Sequence, residues 1–176
     1  MDFAGLLALM QKRRSTRSFT KTPIDKDTIE EMIQAAVLAP SVENTQPWRF
    51  HVVTNKELMH ELMNISCYGN FESEVGTFIV VTCDRSAQAA VDLGPIWNPK
   101  EMEYSCAGAM YGLMLAAAAK GLSSCWVSLH HGPAHNILKL KDHQIVIGAV
   151  MIGHATQEDG MPHDRKATSS VIEWHA

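Results

Sequence analysis

The sequence predicts a layered fold of the α/β or α+β class, in one domain spanning residues 1-176. Three observations carry this. Short apolar runs with strand character (WRFHVVT, TFIVVTC, SCWVSL and IVIGAVMIG) are separated by stretches of helical period. A length of 176 residues suits one hydrophobic core rather than two. A hydrophobic content of 46% with 19% charged residues is that of an ordinary folded chain, too apolar for disorder.

Taken in order, residues 3–13 read as a helix with Leu6, Leu7 and Met10 on one side. Asp25 or Asp27 can cap a second helix that carries Ile29, Met32, Ile33, Ala36 and Val37 at helical spacing, and Pro40 stops it. The run WRFHVVT, from Trp48, alternates with period two and predicts a strand. A helix over 56–65 and a buried strand TFIVVTC follow. Gly94, Pro95 and Pro99 break the chain before a long helix from about Glu101 to Lys120, with Gly121 placed to cap its C-terminus. SCWVSL and IVIGAVMIG supply two more strands, with a short helix starting at Pro133 between them. The tail from Thr156 is polar and ends in VIEWHA.

The long helix contains the longest apolar stretch, Ser105 to Ala119, which falls short of the ~20 residues that span a bilayer. A helix apolar all round is covered on two sides. One cover is the sheet; the other is expected to be a second subunit, approached closely at Gly108 and Gly112. A homodimer is the expected assembly. The formal net charge of -4 gives no broad attraction to nucleic acid or anionic lipid. Cys67, Cys83, Cys106 and Cys125 show no CxxC pair or metal-ligand rhythm and read as buried thiols of a reducing compartment. Met1 to Met10 lacks the charged-then-apolar order of a secretory leader, so a cytoplasmic location is expected.

Several clusters could carry chemistry. Lys12, Arg13, Arg14 and Arg17 surround Ser15 and Thr16, a set suited to phosphate or simply to a solvated helix end. Asp164, Arg165 and Lys166 form a second basic spot with the same two readings. His130, His131 and His135 suggest a metal. Gly132 and Pro133 are expected to keep His131 and His135 off one helix, and no zinc-protease pattern surrounds them, so no metal site is expected. No nucleophile elbow, P-loop or GxGxxG is present. The stretch APSVENTQPWRF, residues 39–50, is denser in polar groups than a helix-to-strand connection requires.

In succession, RRSTRSF, APSVENTQPWRF, KGLSSCWVS and DRKATSSVIEW resemble the FMN-dependent nitroreductase family over nearly the whole chain. The resemblance implies an α+β layered fold, a central mixed and largely antiparallel sheet flanked by helices, in an intertwined homodimer. It implies FMN as cofactor, with Arg13 and Ser15 on its phosphate, Arg14 contributing mainly main-chain contacts, and Arg17 at the pyrimidine edge. Arg165 would close on the same phosphate, Asn70 would donate to the pyrimidine, and Ser128 would lie near flavin N5. Pro40, Ser41 and Asn44 would lie along the isoalloxazine ring held by the partner subunit, or support the loop that does. The implied activity is hydride transfer from NAD(P)H through FMN to an electron-poor acceptor such as a nitroaromatic, a quinone or an activated alkene, with ping-pong kinetics. No catalytic acid or base is then needed, because the flavin carries the redox chemistry.

The chain departs from the family pattern at several places. Leu129 stands where many relatives carry Gly, and Ala167 where they carry Pro. Glu72 and Glu74 place negative charge near the implied pyrimidine contacts. Two other readings remain: a flavin-binding or sensor protein without turnover, and a metal hydrolase resting on HHGPAH alone. No motif in the sequence discriminates NADH from NADPH or from a ferredoxin as electron donor.

Overall fold

Short polar side chains begin three of the helices. A computed structural model describes residues 2–69, 75–90, 98, 100–157 and 164–175. In it Asp2 accepts from Gly5 N at 2.8 Å to open α1 (Phe3–Lys12), and Asp25 accepts from Thr28 N at 2.7 Å to open α2 (Lys26–Ala36). Asn55 accepts from Leu58 N at 2.8 Å to open α3 (Lys56–Asn64). Each such cap contributes about 1 kcal/mol. The long helix, α4 (Glu101–Ala119), ends at Lys120, and Gly121 takes the left-handed turn at φ 76°. That conformation is cheap only without a Cβ.

Strands β1 (Trp48–Val53), β2 (Thr77–Asp84), β3 (Ser123–Val127) and β4 (Gln144–Gly153) form one sheet in the order β1-β2-β4-β3. All three pairings are antiparallel. A parallel contribution comes from one bridge, Ser15 to Ser124, which lays the chain after α1 along the free edge of β3. The sheet is therefore mixed and largely antiparallel, in an α+β fold.

Alternation along the strands divides the interior in two. Ile79, Val81 and Cys83 of β2, with Val150 and Ile152 of β4, face α2 and α4. Phe78 and Val80 of β2, with Ala149 and Met151 of β4, face α3 and α5 (His131–Ile137). All eight residues of β2 are buried, as a central strand covered on both faces must be.

Several expectations need correction. Gly108 and Gly112 do permit a close approach, but to α2 and the turn that follows it in the same chain. A Cβ on Gly112 would lie 3.4 Å from Ala36 Cα, and one on Gly108 would lie 3.9 Å from Ala39 Cβ. The helix α1 forms as expected yet buries no residue, leaving Phe3 78% and Leu7 44% exposed. Helix α2 ends at Ala36, ahead of Pro40, with single turns through Leu38 and Ala39. Cys67 is exposed; Cys83, Cys106 and Cys125 are buried. Helix α5 starts at His131, so one helix carries both His131 and His135. Pro133 is tolerated there because the N–H it lacks belongs to the first turn, which has no intrahelical partner for it. No group of three metal-capable side chains forms among the described residues. Nor is any helix among them long and apolar enough to cross a membrane. Gly94, Pro95 and Pro99 lie outside the described residues.

Candidate functional site

The basic cluster after α1 is drawn out along β3 rather than left at a helix end. Thr16 N donates to Ser124 O at 3.0 Å, and Thr20 N donates to His154 O at 2.8 Å. Thr16 is buried, and alternation sends its neighbours Ser15 and Arg17 outward, where both are exposed. Arg13 and Arg14 are half-buried just before them. The Arg17 guanidinium donates to Ser15 O at 3.2 Å and stacks 5.2 Å from the centroid of the Tyr68 ring.

The segment that carries Tyr68 is tied to the end of β3. Cys67 N donates to Ser128 O at 2.9 Å, His130 N donates to Ile65 O at 3.0 Å, and Ser66 bridges Leu129. The Tyr68 hydroxyl lies 3.5 Å from Cys125 Sγ. Burial pushes the Cys125 thiol up, while Tyr68 and the positive charges of Arg17 and Arg13 pull it the other way. Hydrogen bonding with Tyr68 raises the Arg17 pKa above its ordinary value, against a smaller opposing effect of burial. Arg13, Ser15, Arg17 and Ser128 therefore border one stretch of β3. Arginine forks, hydroxyls and an aromatic face together suit a phosphorylated, planar ligand with hydrogen-bond acceptors on its edge.

The stretch at Pro40–Pro47 is a separate site element, and it is strained. Glu43 (φ 46°), Asn44 (φ 54°) and Gln46 (φ 45°) are all left-handed without being glycine. Asn tolerates this best; for Glu and Gln it costs roughly 1–2 kcal/mol each. The conformation persists because the loop is tied down at several points. Val42 N donates to Ser105 Oγ at 3.2 Å, Gln46 N to Ser41 Oγ at 3.1 Å, and Gln46 Nε2 to Asn44 Oδ1 at 3.3 Å. At its far end Asp84 N donates to Pro47 O at 2.7 Å. Asp84 also pairs with Arg49 at 2.9 Å, accepts from Ser86, and lies 3.6 Å from His143.

These two elements do not meet within one subunit. The loop enters β1 at one edge of the sheet, and the basic cluster lines β3 at the other. Three strand spacings separate the edges, roughly 14 Å. They are also displaced along the strands, one level with Gln144 and the other with Met151 of β4, roughly a further 24 Å.

Arg165 lies in the exposed C-terminal segment, where no described contact joins it to Arg13 or Ser15. Asn70, with Glu72 and Glu74, lies outside the described residues. A surface cavity of about 390 Å³ lined by Pro23, Asp25, Thr28, Lys120 and His154 holds none of the expected site residues. Sequence reasoning missed Tyr68, Cys125 and Asp84. Tyr68 gave no spacing signal; Asp84 ends a strand, where an acid is unremarkable.

The family model described as the Nitroreductase family matches residues 10–86. The 5,6-dimethylbenzimidazole synthase of Rhodospirillum rubrum is 33% identical over 148 residues, covering 71% of this chain and 69% of that protein. Among solved structures, an FMN-dependent nitroreductase from Clostridium difficile superposes with TM-score 0.80 at 21% identity, covering 97% of this chain and 99% of that one. A Desulfovibrio desulfuricans protein in complex with FMN does so with TM-score 0.81 at 22% identity, covering 97% and 96%. At such identities the structural likeness shows the fold alone. The sequence match adds kinship to it, over the segment that holds both the basic cluster and the strained loop, and the chain belongs to the nitroreductase family.

Proposed function

We propose that the chain is an FMN-dependent oxidoreductase that works as a homodimer, with two sites each shared between subunits. The observation that carries this is the separation of the two site elements. A basic, aromatic-bordered edge of β3 and a strained polar loop at the opposite corner of the sheet can enclose one ligand only if they come from different subunits. The surface left uncovered supports a partner. Helix α1 buries nothing, Tyr104 and Tyr111 of α4 are exposed, and Val171, Ile172 and Trp174 of the C-terminal segment stand in solvent. Exposed apolar groups in this number mark an interaction surface.

The donor set fits the cofactor. The guanidinium of Arg13 and the Ser15 hydroxyl suit a terminal phosphate, with Arg14 contributing mainly main-chain contacts, and Arg17 suits the pyrimidine edge. Arg165 and Asn70 would complete these two contacts, and Ser128 would lie beside the reacting centre. Pro40, Ser41 and Asn44 would approach from the partner subunit. When bound, FMN supplies reversible hydride acceptance. The chain supplies orientation, exclusion of water and a fixed positive charge where negative charge develops. With one pocket serving NAD(P)H and then the electron-poor acceptor, the two half-reactions alternate.

The test is direct. Purified protein should hold FMN at one per subunit, lose its yellow colour anaerobically with NADH or NADPH, and regain it with a nitroaromatic or a quinone. Flavin that stays oxidised with both donors would instead indicate a binding protein without this turnover. FAD at one per subunit would contradict a phosphate site closed by Arg13, Ser15 and Arg165.

A further inference from the structure

We infer that Tyr68 is a positioning residue for Arg17, holding its guanidinium at the pyrimidine edge of the bound flavin; this rests on the flavin reading above. Arginine carries several free torsions, and an exposed one ordinarily samples many rotamers. Arg17 is exposed, yet two restraints act on it from different directions. Its own chain supplies one, the Ser15 carbonyl at 3.2 Å. The Tyr68 ring supplies the other, with its centroid 5.2 Å from the guanidinium carbon. A guanidinium favours the negative face of an aromatic ring, and its planar fork is then oriented before any ligand arrives.

Tyr68 is itself fixed. Its N–H donates to Ser66 Oγ at 3.2 Å, and its hydroxyl lies 3.5 Å from Cys125 Sγ on β3. The preceding residue is hydrogen-bonded to Ser128. The ring thus links the strand that borders the site to the charge that serves it. A side-chain hydrogen bond with Tyr68, the first cause of the raised Arg17 pKa, adds the hydroxyl to the ring face in holding the guanidinium.

The consequence is specific to the reduced flavin. Oxidised flavin offers a neutral pyrimidine edge, whereas reduced flavin carries negative charge there. A correctly aimed guanidinium therefore favours the reduced form over the oxidised one. Losing the aim should lower the ratio of the two affinities, which is read as the two-electron midpoint potential of bound FMN. A packing role for Tyr68 would weaken both forms alike and leave that potential unchanged.

The experiment compares wild type, Tyr68→Phe, Tyr68→Leu, Arg17→Ala and the Tyr68→Leu/Arg17→Ala double variant, each loaded with FMN. Dissociation constants for oxidised FMN come from fluorescence and midpoint potentials from anaerobic dye equilibration. Tyr68→Leu should reduce the reduced-over-oxidised preference about tenfold, which corresponds to a fall of about 30 mV. Tyr68→Phe keeps the ring face but loses the hydroxyl that hydrogen-bonds Arg17, so its potential should fall by less than that of Tyr68→Leu, and it covers the case in which the Leu variant folds poorly. In the Arg17→Ala background the Tyr68→Leu change should have no further effect, because Tyr68 acts through Arg17. An unchanged potential in Tyr68→Leu, or an equal fall with and without Arg17, overturns the inference while leaving the flavin reading intact. Wild-type protein that binds no FMN overturns both.

Discussion

Arg17 is a single charge whose value depends on when it is needed. At the pyrimidine edge proposed above, its guanidinium would oppose negative charge that appears only on reduction, so Arg17→Ala should slow flavin reduction more than it weakens flavin binding. Removing one such preorganised donor commonly costs about 10²-fold in rate. Stopped-flow reduction of FMN-loaded variant checks this, and an unchanged rate would remove Arg17 from the pyrimidine edge. Asp84 shows the opposite case, a charge fixed in advance. Burial alone would raise its pKa, but hydrogen bonds from Ser86 and the charges of Arg49 and His143 outweigh burial and hold it below the ordinary value. A depressed carboxyl pKa contributes stability that is fully present above the unfolded value of about 3.9 and lost as pH falls through the folded one. Asp84→Asn should therefore be less stable at pH 7 and lose less stability on acidification below about pH 4. Urea unfolding across that range decides it. An acid slope equal to that of wild type would free Asp84 from this role.

At the scale of elements, the packing of α4 on α2 carries a different prediction from the one its sequence suggests. A Cβ at Gly112 would already touch the Ala36 backbone, and backbone cannot swing aside as a side chain can. Gly112→Leu should thus destabilise the subunit itself by about 1–3 kcal/mol or more. Denaturation midpoints measured at several protein concentrations distinguish this from a dimer defect, since an intrachain clash does not depend on concentration. The case shows what was legible in the sequence. Period and caps placed α2, α3, α4 and every strand to within a few residues, because these are local properties of Asp25, Gly121 and the periodic runs. The small-residue spacing at Gly108 and Gly112 correctly signalled close approach, but spacing carries no information about which surface arrives. The same limit applies to the site. RRSTRSF and APSVENTQPW announced themselves by composition, whereas Tyr68 and Asp84 matter through partners distant in sequence.

For the whole molecule, a site closed between subunits, as proposed for the two elements at opposite corners of the sheet, would make assembly and cofactor binding one linked equilibrium. Whatever binds only the assembled form stabilises it by mass action. Diluting the holoprotein should release FMN and dissociate the dimer together, followed by flavin fluorescence and sedimentation over one dilution series. Monomer that keeps FMN at undiminished affinity would show that one chain builds the site unaided. Helix α1 should report the same event. A ten-residue helix with no buried side chain has little to hold it in an isolated subunit. Limited proteolysis near residues 3–12 should accelerate at the concentrations where FMN leaves.

The left-handed backbone at Glu43 and Gln46 bears on how such a chain can change over generations. Each is a site where glycine would relieve about 1 kcal/mol of conformational cost, so stabilising variants are within one substitution of the present sequence. Glycine would also free the very loop whose rigidity, on the proposed function, presents Ser41 and Asn44 to a neighbouring subunit. A library screened for heat resistance should therefore enrich glycine at positions 43 and 46. A library screened for turnover should purge it, and the two selections would drive this short loop in opposite directions.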